Sequence, residues 1–263
     1  MSAKSSARNR VGRKRGNGAD DPPANVLVID IGGTKVKMLA TGHAHPRKVD
    51  SGPELTPGQM VKAVLRACKG WSFEAVSIGF PGLAGAQGPI SEPANLGAGW
   101  VGYNFAAAFE RPVRIINDAA MQALGSYEGG RMVFLGLGTG LGSALITQNV
   151  IVPLELGALP SLSGEPLGLV LGRKGLKRLG KRAWRKELAR AIERFTVAFT
   201  ADYIVLGGGN AGELKKLPPG TRIGNNLAAF RGGFRLWHLP DVPTLSADGG
   251  AAPQSASARW RVI

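Results

Sequence analysis

Four short stretches of the chain carry residue types that could handle phosphate and protons. The first is Asp30-Ile31-Gly32-Gly33-Thr34-Lys35, which closes the apolar run VLVIDI at 26–31. A strand would deliver a carboxylate to its end there. Two glycines then let the backbone turn, so that N–H groups and the Thr34 hydroxyl can face an anion. A carboxylate so placed can hold Mg²⁺ through water, because hard cations take oxygen ligands. An ordinary hairpin turn would use the same residues. The second stretch is Gly136-Leu137-Gly138-Thr139-Gly140-Leu141-Gly142. Glycine weakens strands, so four of them between strand-forming flanks imply close backbone approach to a ligand, or else a bulged turn. Two such hairpins on one cleft would clamp a polyphosphate from both sides. The third is Asn117-Asp118, where a buried strand turns into a helix. A carboxylate there can accept a hydroxyl proton during attack on phosphorus, or it can simply cap the helix. The fourth is Gly207-Gly208-Gly209, which can admit a flat ring or a phosphate against the backbone or serve as a flexible turn.

The elements that must position these residues alternate between strand and helix. Residues 26–31 and 36–41 read as a hairpin, and 57–69 as a helix with Met60, Val61, Val64, Leu65 and Cys68 at helical spacing. Pro57 suits a first helical turn. AVSIGF at 75–80 is a buried strand stopped by Pro81-Gly82. A loop rich in Gly, Pro and Asn follows, then the strand VRIIN at 113–117 and a helix from Asp118. Residues 131–138 and 143–147 form a second hairpin, 174–199 one long helix, 203–209 a strand and 225–234 a closing helix. The pattern is α/β with one glycine hairpin in each half.

Composition bounds the rest. A chain of 263 residues with 44% hydrophobic content can bury a core or two small lobes around a cleft. The single cysteine, Cys68, excludes an internal disulfide and speaks against a cysteine-built zinc site. No apolar run approaches the roughly 18–20 residues of a membrane span, and the basic start lacks the apolar segment of a secretory signal. A cytoplasmic protein without membrane contact is expected. Residues 1–25 and 239–263 read as flexible tails, the first of them basic. The lobes are expected at 26–115 and 116–238. His43, His45 and His238 lie near no motif and read as surface or tail residues.

Taken in order, DIGGTK, GFPG, PANLGAGW, IND, GLGTGLGSALI, VPLELGA and LGGG resemble the ROK family of sugar kinases, and within it the polyphosphate/ATP-dependent glucokinases. The resemblance runs from about Val26 to about Gly233. It implies an actin-like ATPase (ribonuclease H-like) duplicated fold, and a kinase that moves a phosphoryl group from ATP or polyphosphate to a hexose, with Mg²⁺. In its terms Asp30 is the metal-facing carboxylate, and Gly32, Gly33, Thr34 and Lys35 form the first phosphate loop. Gly138, Thr139, Gly140 and Gly142 form the second. Gly79, Pro81 and Gly82 line the sugar cleft, and Asn95 hydrogen-bonds sugar hydroxyls. Asn117 and Asp118 are the sugar-binding and base pair, and Glu155 accepts hydrogen bonds from the sugar. Gly207, Gly208 and Gly209 lie by the donor's nucleoside, and a homodimer is expected. Two departures stand out. Ala158 replaces the family histidine, which together with the missing cysteine cluster implies no zinc. Residues 161–178 match the polyphosphate-type members poorly.

The net charge of +15 is concentrated in the N-terminal tail and in Arg173–Arg194, where ten Lys/Arg face two Glu. Lys174, Arg178, Lys181 and Arg182 recur at helical spacing, opposite an apolar face of Leu176, Leu179, Trp184, Leu188, Ala191 and Ile192. This reads as a solvated face or as a track for polyphosphate. A sugar-binding regulator without catalysis is the second functional reading, but Asp30, Asp118 and Glu155 together favour an enzyme. A nucleic-acid-binding module is the third, and it leaves both glycine hairpins unexplained.

Overall fold

The computed structural model describes residues 22–225, 227–239 and 242–247. The tail expected at 1–25 therefore lies almost wholly outside the described residues, as do the ends of the tail expected at 239–263. Two five-stranded sheets share one topology. The first is built from β1 (Val26–Ile31), β2 (Lys35–Ala40), β3 (Arg47–Asp50), β4 (Ala75–Phe80) and β5 (Val113–Asn117), in the order β3-β2-β1-β4-β5. The second uses β6 (Met132–Leu137), β7 (Leu141–Thr147), β8 (Val150–Leu154), β9 (Tyr203–Gly207) and β10 (Thr221–Ile223), in the order β8-β7-β6-β9-β10. In each sheet the first three strands form an antiparallel meander and the last two run parallel to the first. The duplication expected from two glycine hairpins is thus a duplication of the whole sheet.

Helices complete the parallel. In the first half, α1 (Pro57–Ala67) precedes β4, the short α2 (Phe105–Phe109) precedes β5, and α3 (Asp118–Ser126) follows β5. In the second half, α4 (Leu167–Leu171) and α5 (Arg173–Ala198) precede β9, and α6 (Ala228–Arg235) follows β10. Thr56 starts α1 with a reciprocal capping box to Gln59. β1 and β4 are buried along nearly their whole length because both faces of the first sheet are covered. Leu27, Ile29, Val76 and Ile78 pack with Met60 and Val64 of α1, whereas Val28 and Ala75 pack with Ala229 and Phe230 of α6.

The two terminal helices exchange partners. α3 leaves the first sheet yet buries Ala119, Ala120 and Ala123 among Met132, Phe134, Ala144 and Ile146 of the second. α6 leaves the second sheet and covers the first. Where they cross, their backbones nearly touch. A Cβ at Gly125 would stand 1.8 Å from the Ala228 carbonyl oxygen, and one at Gly232 would stand 1.8 Å from that of Met121. The crossing is tied by Ser77, whose hydroxyl donates to the Gly233 carbonyl (2.7 Å) and accepts from Trp237 Nε1 (2.9 Å).

Two expectations change. The helix over 174–199 is two segments, because Gly180 at φ 72°, ψ 162° breaks it. The described part of the C-terminal tail is held against the first sheet. Leu245 bridges Val113, and Arg114 donates to Thr244 Oγ1 (2.9 Å) and to the Leu236 and Leu239 carbonyls. Sequence patterning missed this because the segment has no periodicity of its own, and β5 supplies its partners.

Substituting Gly125→Val should destabilise the protein by about 3 kcal/mol or more, since backbone rather than a flexible side chain fills the space. Denaturant unfolding checks this, and a variant of parental stability would mean that α3 and α6 are not packed this closely.

Candidate active site

A cavity lies between the first sheet, through Asp30 and Lys37, and the carboxyl end of β9, through Gly207–Gly209, where α/β folds place their ligands. Asp30 ends β1, in register with Gly79 of β4. A Cβ at Gly79 would meet Met121 Cε at 2.4 Å and the Asp118 Cα at 3.5 Å, so glycine is what allows the start of α3 to approach the sheet beside Asp30. Asn117, not Asp118, caps α3. Its Oδ1 accepts from the N–H groups of Ala119 (3.0 Å) and Ala120 (3.1 Å), and its Nδ2 donates to the Gly82 carbonyl (3.1 Å). The capping role left open for this pair thus falls to Asn117. Asp118 is the first residue inside the helix, with one oxygen accepting from Ala119 N–H at 2.7 Å.

Glu155 approaches from the other lobe, after β8. Its corner is built by the buried Ser143 hydroxyl, which donates to the Leu154 carbonyl (2.8 Å) and accepts from Leu156 N–H (3.0 Å). Asp118 lies within electrostatic reach of both Asp30 and Glu155. Burial first, then repulsion from these two, raises its carboxyl from 3.8 to about 7, against the lowering effect of the Ala119 N–H. Burial also raises Asp30, whose side chain is 15% exposed, and Lys37 opposes that rise with Nζ 4.0 Å from Oδ2.

The remaining expected residues fall around this core. Asn95, exposed on its loop, has its Cβ 3.7 Å from where a Cβ on Gly33 would stand, which brings that loop against the first hairpin. Pro81 and Gly82 follow β4, and Asn117 holds their turn. In the second hairpin a Cβ at Gly138 or Gly140 would meet nothing within 4 Å, and neither residue lies in the left-handed region. These two glycines are therefore not demanded by the fold; they leave open space at the cleft. Gly142 differs, since a Cβ there would press on Ala119 at 2.8 Å. The Gly138 carbonyl is fixed by Arg173 N–H (3.0 Å) and Asn210 Nδ2 (3.1 Å). Gly207, Gly208 and Gly209 line a cavity of about 420 Å³ together with Asp30, Lys37 and Gln122. Gly208 has φ +80° and passes close to Leu137.

Among the residues of this cavity that were not anticipated are Lys37 and Gln122. Spacing alone could have found both. With Ile31 opposite Val36 in the hairpin, Lys37 must stand opposite Asp30, and Gln122 is one helical turn beyond Asp118. Lys35, assigned to the first phosphate loop, instead turns its ammonium onto Asp50. The basic track is likewise partly spent. Arg178 makes a two-pronged pair with Glu165 (2.6 and 2.9 Å), and Lys181 pairs with Glu213 (2.6 Å). Lys174 and Arg182 are exposed, with no ion pair among the described residues.

A metal ion bound here would have few protein ligands. No group of three or more His, Cys, Asp or Glu is arranged to hold one among the described residues. A single carboxylate such as Asp30 does fit Mg²⁺, which keeps water and donor phosphates for most of its shell. Ala158 is exposed beside Glu155, and Cys68 is buried behind α1.

The chain is similar to known proteins over most of its length. The ROK family model matches residues 26–153, which takes in both glycine hairpins, Asn95 and Asp118 but not Glu155 or Gly207–Gly209. A polyphosphate glucokinase of Mycobacterium leprae is 28% identical over 218 residues, 75% of this chain; the alignment spans only 64% of that relative's length. One from Mycobacterium tuberculosis (strain CDC 1551 / Oshkosh) is 25% identical over 221 residues, 73% of this chain and 80% of its own. Among solved structures, the inorganic polyphosphate/ATP-glucomannokinase of Arthrobacter sp. strain KM superposes with a TM-score of 0.70 at 24% identity, covering 83% of this chain and 99% of that one. A ROK family glucokinase from Streptomyces griseus, solved with glucose and AMPPNP, gives 0.61 at 18% identity, covering 81% and 98%. Residues 26–153 are thus similar in sequence to the ROK family, and most of the chain shares the actin-like ATPase fold of the solved ROK sugar kinases.

Proposed function

We propose that the cleft transfers a phosphoryl group from ATP or polyphosphate to the 6-hydroxyl of a hexose, with glucose the first candidate. The observation that carries this reading is Asp118, a carboxylate raised to about 7 between Asp30 and Glu155 and freed of capping duty by Asn117. A base that titrates near neutrality is matched to removing a hydroxyl proton at ordinary pH. In the proposed step the sugar oxygen attacks the donor's terminal phosphorus and its proton passes to Asp118. The bond from that phosphorus to the bridging oxygen breaks, and the shortened donor leaves. Asn95, Asn117 and Glu155 orient the sugar, while the two hairpins hold the donor. Mg²⁺, held by Asp30 and the donor, would neutralise charge on the transferring group. The names of the mycobacterial relatives favour polyphosphate as one donor. The test is a matrix of ATP, GTP and long-chain polyphosphate against glucose, mannose, fructose and glucosamine with Mg²⁺. Sugar binding without turnover in any combination would support the regulator instead.

Asp118→Asn leaves the cap intact and removes the base, so kcat should fall roughly 10²–10⁴-fold with sugar affinity little changed. A folded variant turning over at the parental rate would remove Asp118 from the chemistry.

The pH dependence has a definite sign. The base works ionised, so the sugar kcat/KM of the parent should fall as pH drops through about 7. Its folded carboxyl lies above the ordinary 3.8, so the folded state binds the proton more tightly than the unfolded chain. Stability contributed by the protonated form is lost as pH rises between about 4 and 7. Asp118→Asn should therefore gain thermal stability over the parent at pH 8 and not at pH 4. An equal difference at both pH values would contradict the raised carboxyl.

Gly140→Val should fold with parental stability, because a Cβ there meets open space. It should nevertheless raise the donor KM by roughly 10-fold or more while sparing the sugar KM. Equal effects on both constants would mean that the hairpin only supports the fold.

A further inference from the structure

We infer that Lys37 and Lys48 form a cation pair that receives the phosphoanhydride chain of the donor on the first-lobe side of the cleft; this rests on the kinase reading above. Lys37 stands in register between Asp30 on β1 and Lys48 on β3. Residues directly opposite in antiparallel strands project to the same face, so the three side chains form one row across the sheet. Two positions along the same face, Lys35 faces Asp50 and the opposite charges join. At the next pair the charges are alike. Like charges directly opposite destabilise a sheet, so this arrangement works against the fold unless an anion sits between them. Asp30 pairs with Lys37 only at long range. The 4.0 Å separation exceeds hydrogen-bond length, and the Lys37 side chain remains 54% exposed. Lys48 is exposed and has no ion pair among the described residues.

The position of Lys37, with Lys48 beside it in register on β3, supplies the ligand class. Lys37 lines the cavity of about 420 Å³ that Gly207–Gly209 close from the other lobe. An anion there would meet Asp30 and its metal on one side and open backbone on the other. A diphosphate or triphosphate chain satisfies both lysines at once, as ammonium groups bind phosphate as point charges. The cation expected in the first phosphate loop, Lys35, is thus replaced in that role by a lysine one step further along β2. Free polyphosphate and the phosphates of a nucleoside triphosphate share this chemistry.

The test uses the full chain with Lys37→Gln, Lys48→Gln and the double variant. Binding of inorganic tripolyphosphate and of ATP is followed by titration calorimetry without sugar, beside steady-state KM values for donor and sugar. Each single change should weaken tripolyphosphate binding about 10-fold and raise the donor KM in step, with the sugar KM unmoved. Lys37→Arg should restore most of the binding, and the salt dependence should flatten in the double variant. Parallel losses with ATP identify its phosphates as an occupant; loss with tripolyphosphate alone identifies the free chain. Lys48→Gln should also raise the melting temperature, since it relieves the repulsion. Tripolyphosphate and ATP binding unchanged in both single variants would overturn the pair, as would a Lys37→Gln effect equal on donor and sugar. A parent without kinase activity that still binds tripolyphosphate through these lysines would sink the kinase reading and leave the pair standing. An active parent whose variants bind like it would do the reverse.

Discussion

The close crossing of α3 and α6 is the contact on which the rest depends. Each helix leaves one sheet and covers the other, so neither sheet can bury its inner face without the opposite half of the chain. The glycines at the crossing bring two backbones into contact where side chains would hold them apart. This fixes how far the two glycine hairpins stand from each other, and with it the width of the cleft. It also sets the N-terminal end of α3, and therefore Asp118, against Gly79 and beside Asp30. The ties from Ser77, Trp237 and Arg114 lock α6 and the segment after it onto the first sheet. The site is a consequence of two sheets held by two shared helices.

Within the cleft the governing effect is desolvation of like charges. Asp30, Asp118 and Glu155 come from three different elements and two lobes, and each carries formal negative charge toward the same space. Bringing them together costs stability, and nothing in the hydrophobic core requires it. The raised carboxyl of Asp118 is the visible part of that cost. Lys37 and Lys48, like charges directly opposite on adjacent strands, follow the same logic with the opposite sign. Separate clusters of negative and positive charge facing one gap suit a reaction in which a hydroxyl meets a phosphate.

The basic helix shows how composition overstates function. A local excess of positive charge suggests a polyanion track, yet Arg178 and Lys181 are committed to Glu165 and Glu213, residues distant in sequence that no helical pattern could pair with them. Exposed pairs of this kind contribute little to stability, but they remove half of the proposed track. Lys37 and Lys48, on β2 and β3, show in the sequence only as scattered lysines. Their alignment is a property of strand register.

The central strands of both sheets, both glycine hairpins and the carboxylates at strand ends were legible in the sequence because they follow from local rules, whereas β3, β8, β10, α2 and α4, short and without a clear period of their own, were not. Period-two alternation, glycine turns and the strand-to-helix switch at Asn117-Asp118 need no long-range information. The choice of Asn117 over Asp118 as the cap was not legible, since both residues can cap and only backbone geometry decides between them. The break at Gly180 was hidden because glycine is compatible with a helix interior as well as with a turn. Tertiary structure alone decided that Leu245 bridges Val113 of β5 and that Glu155 comes within electrostatic reach of Asp118. Each depends on what lies across a sheet or a cleft, and distance in space between residues far apart in the chain is set by packing, which no local pattern encodes.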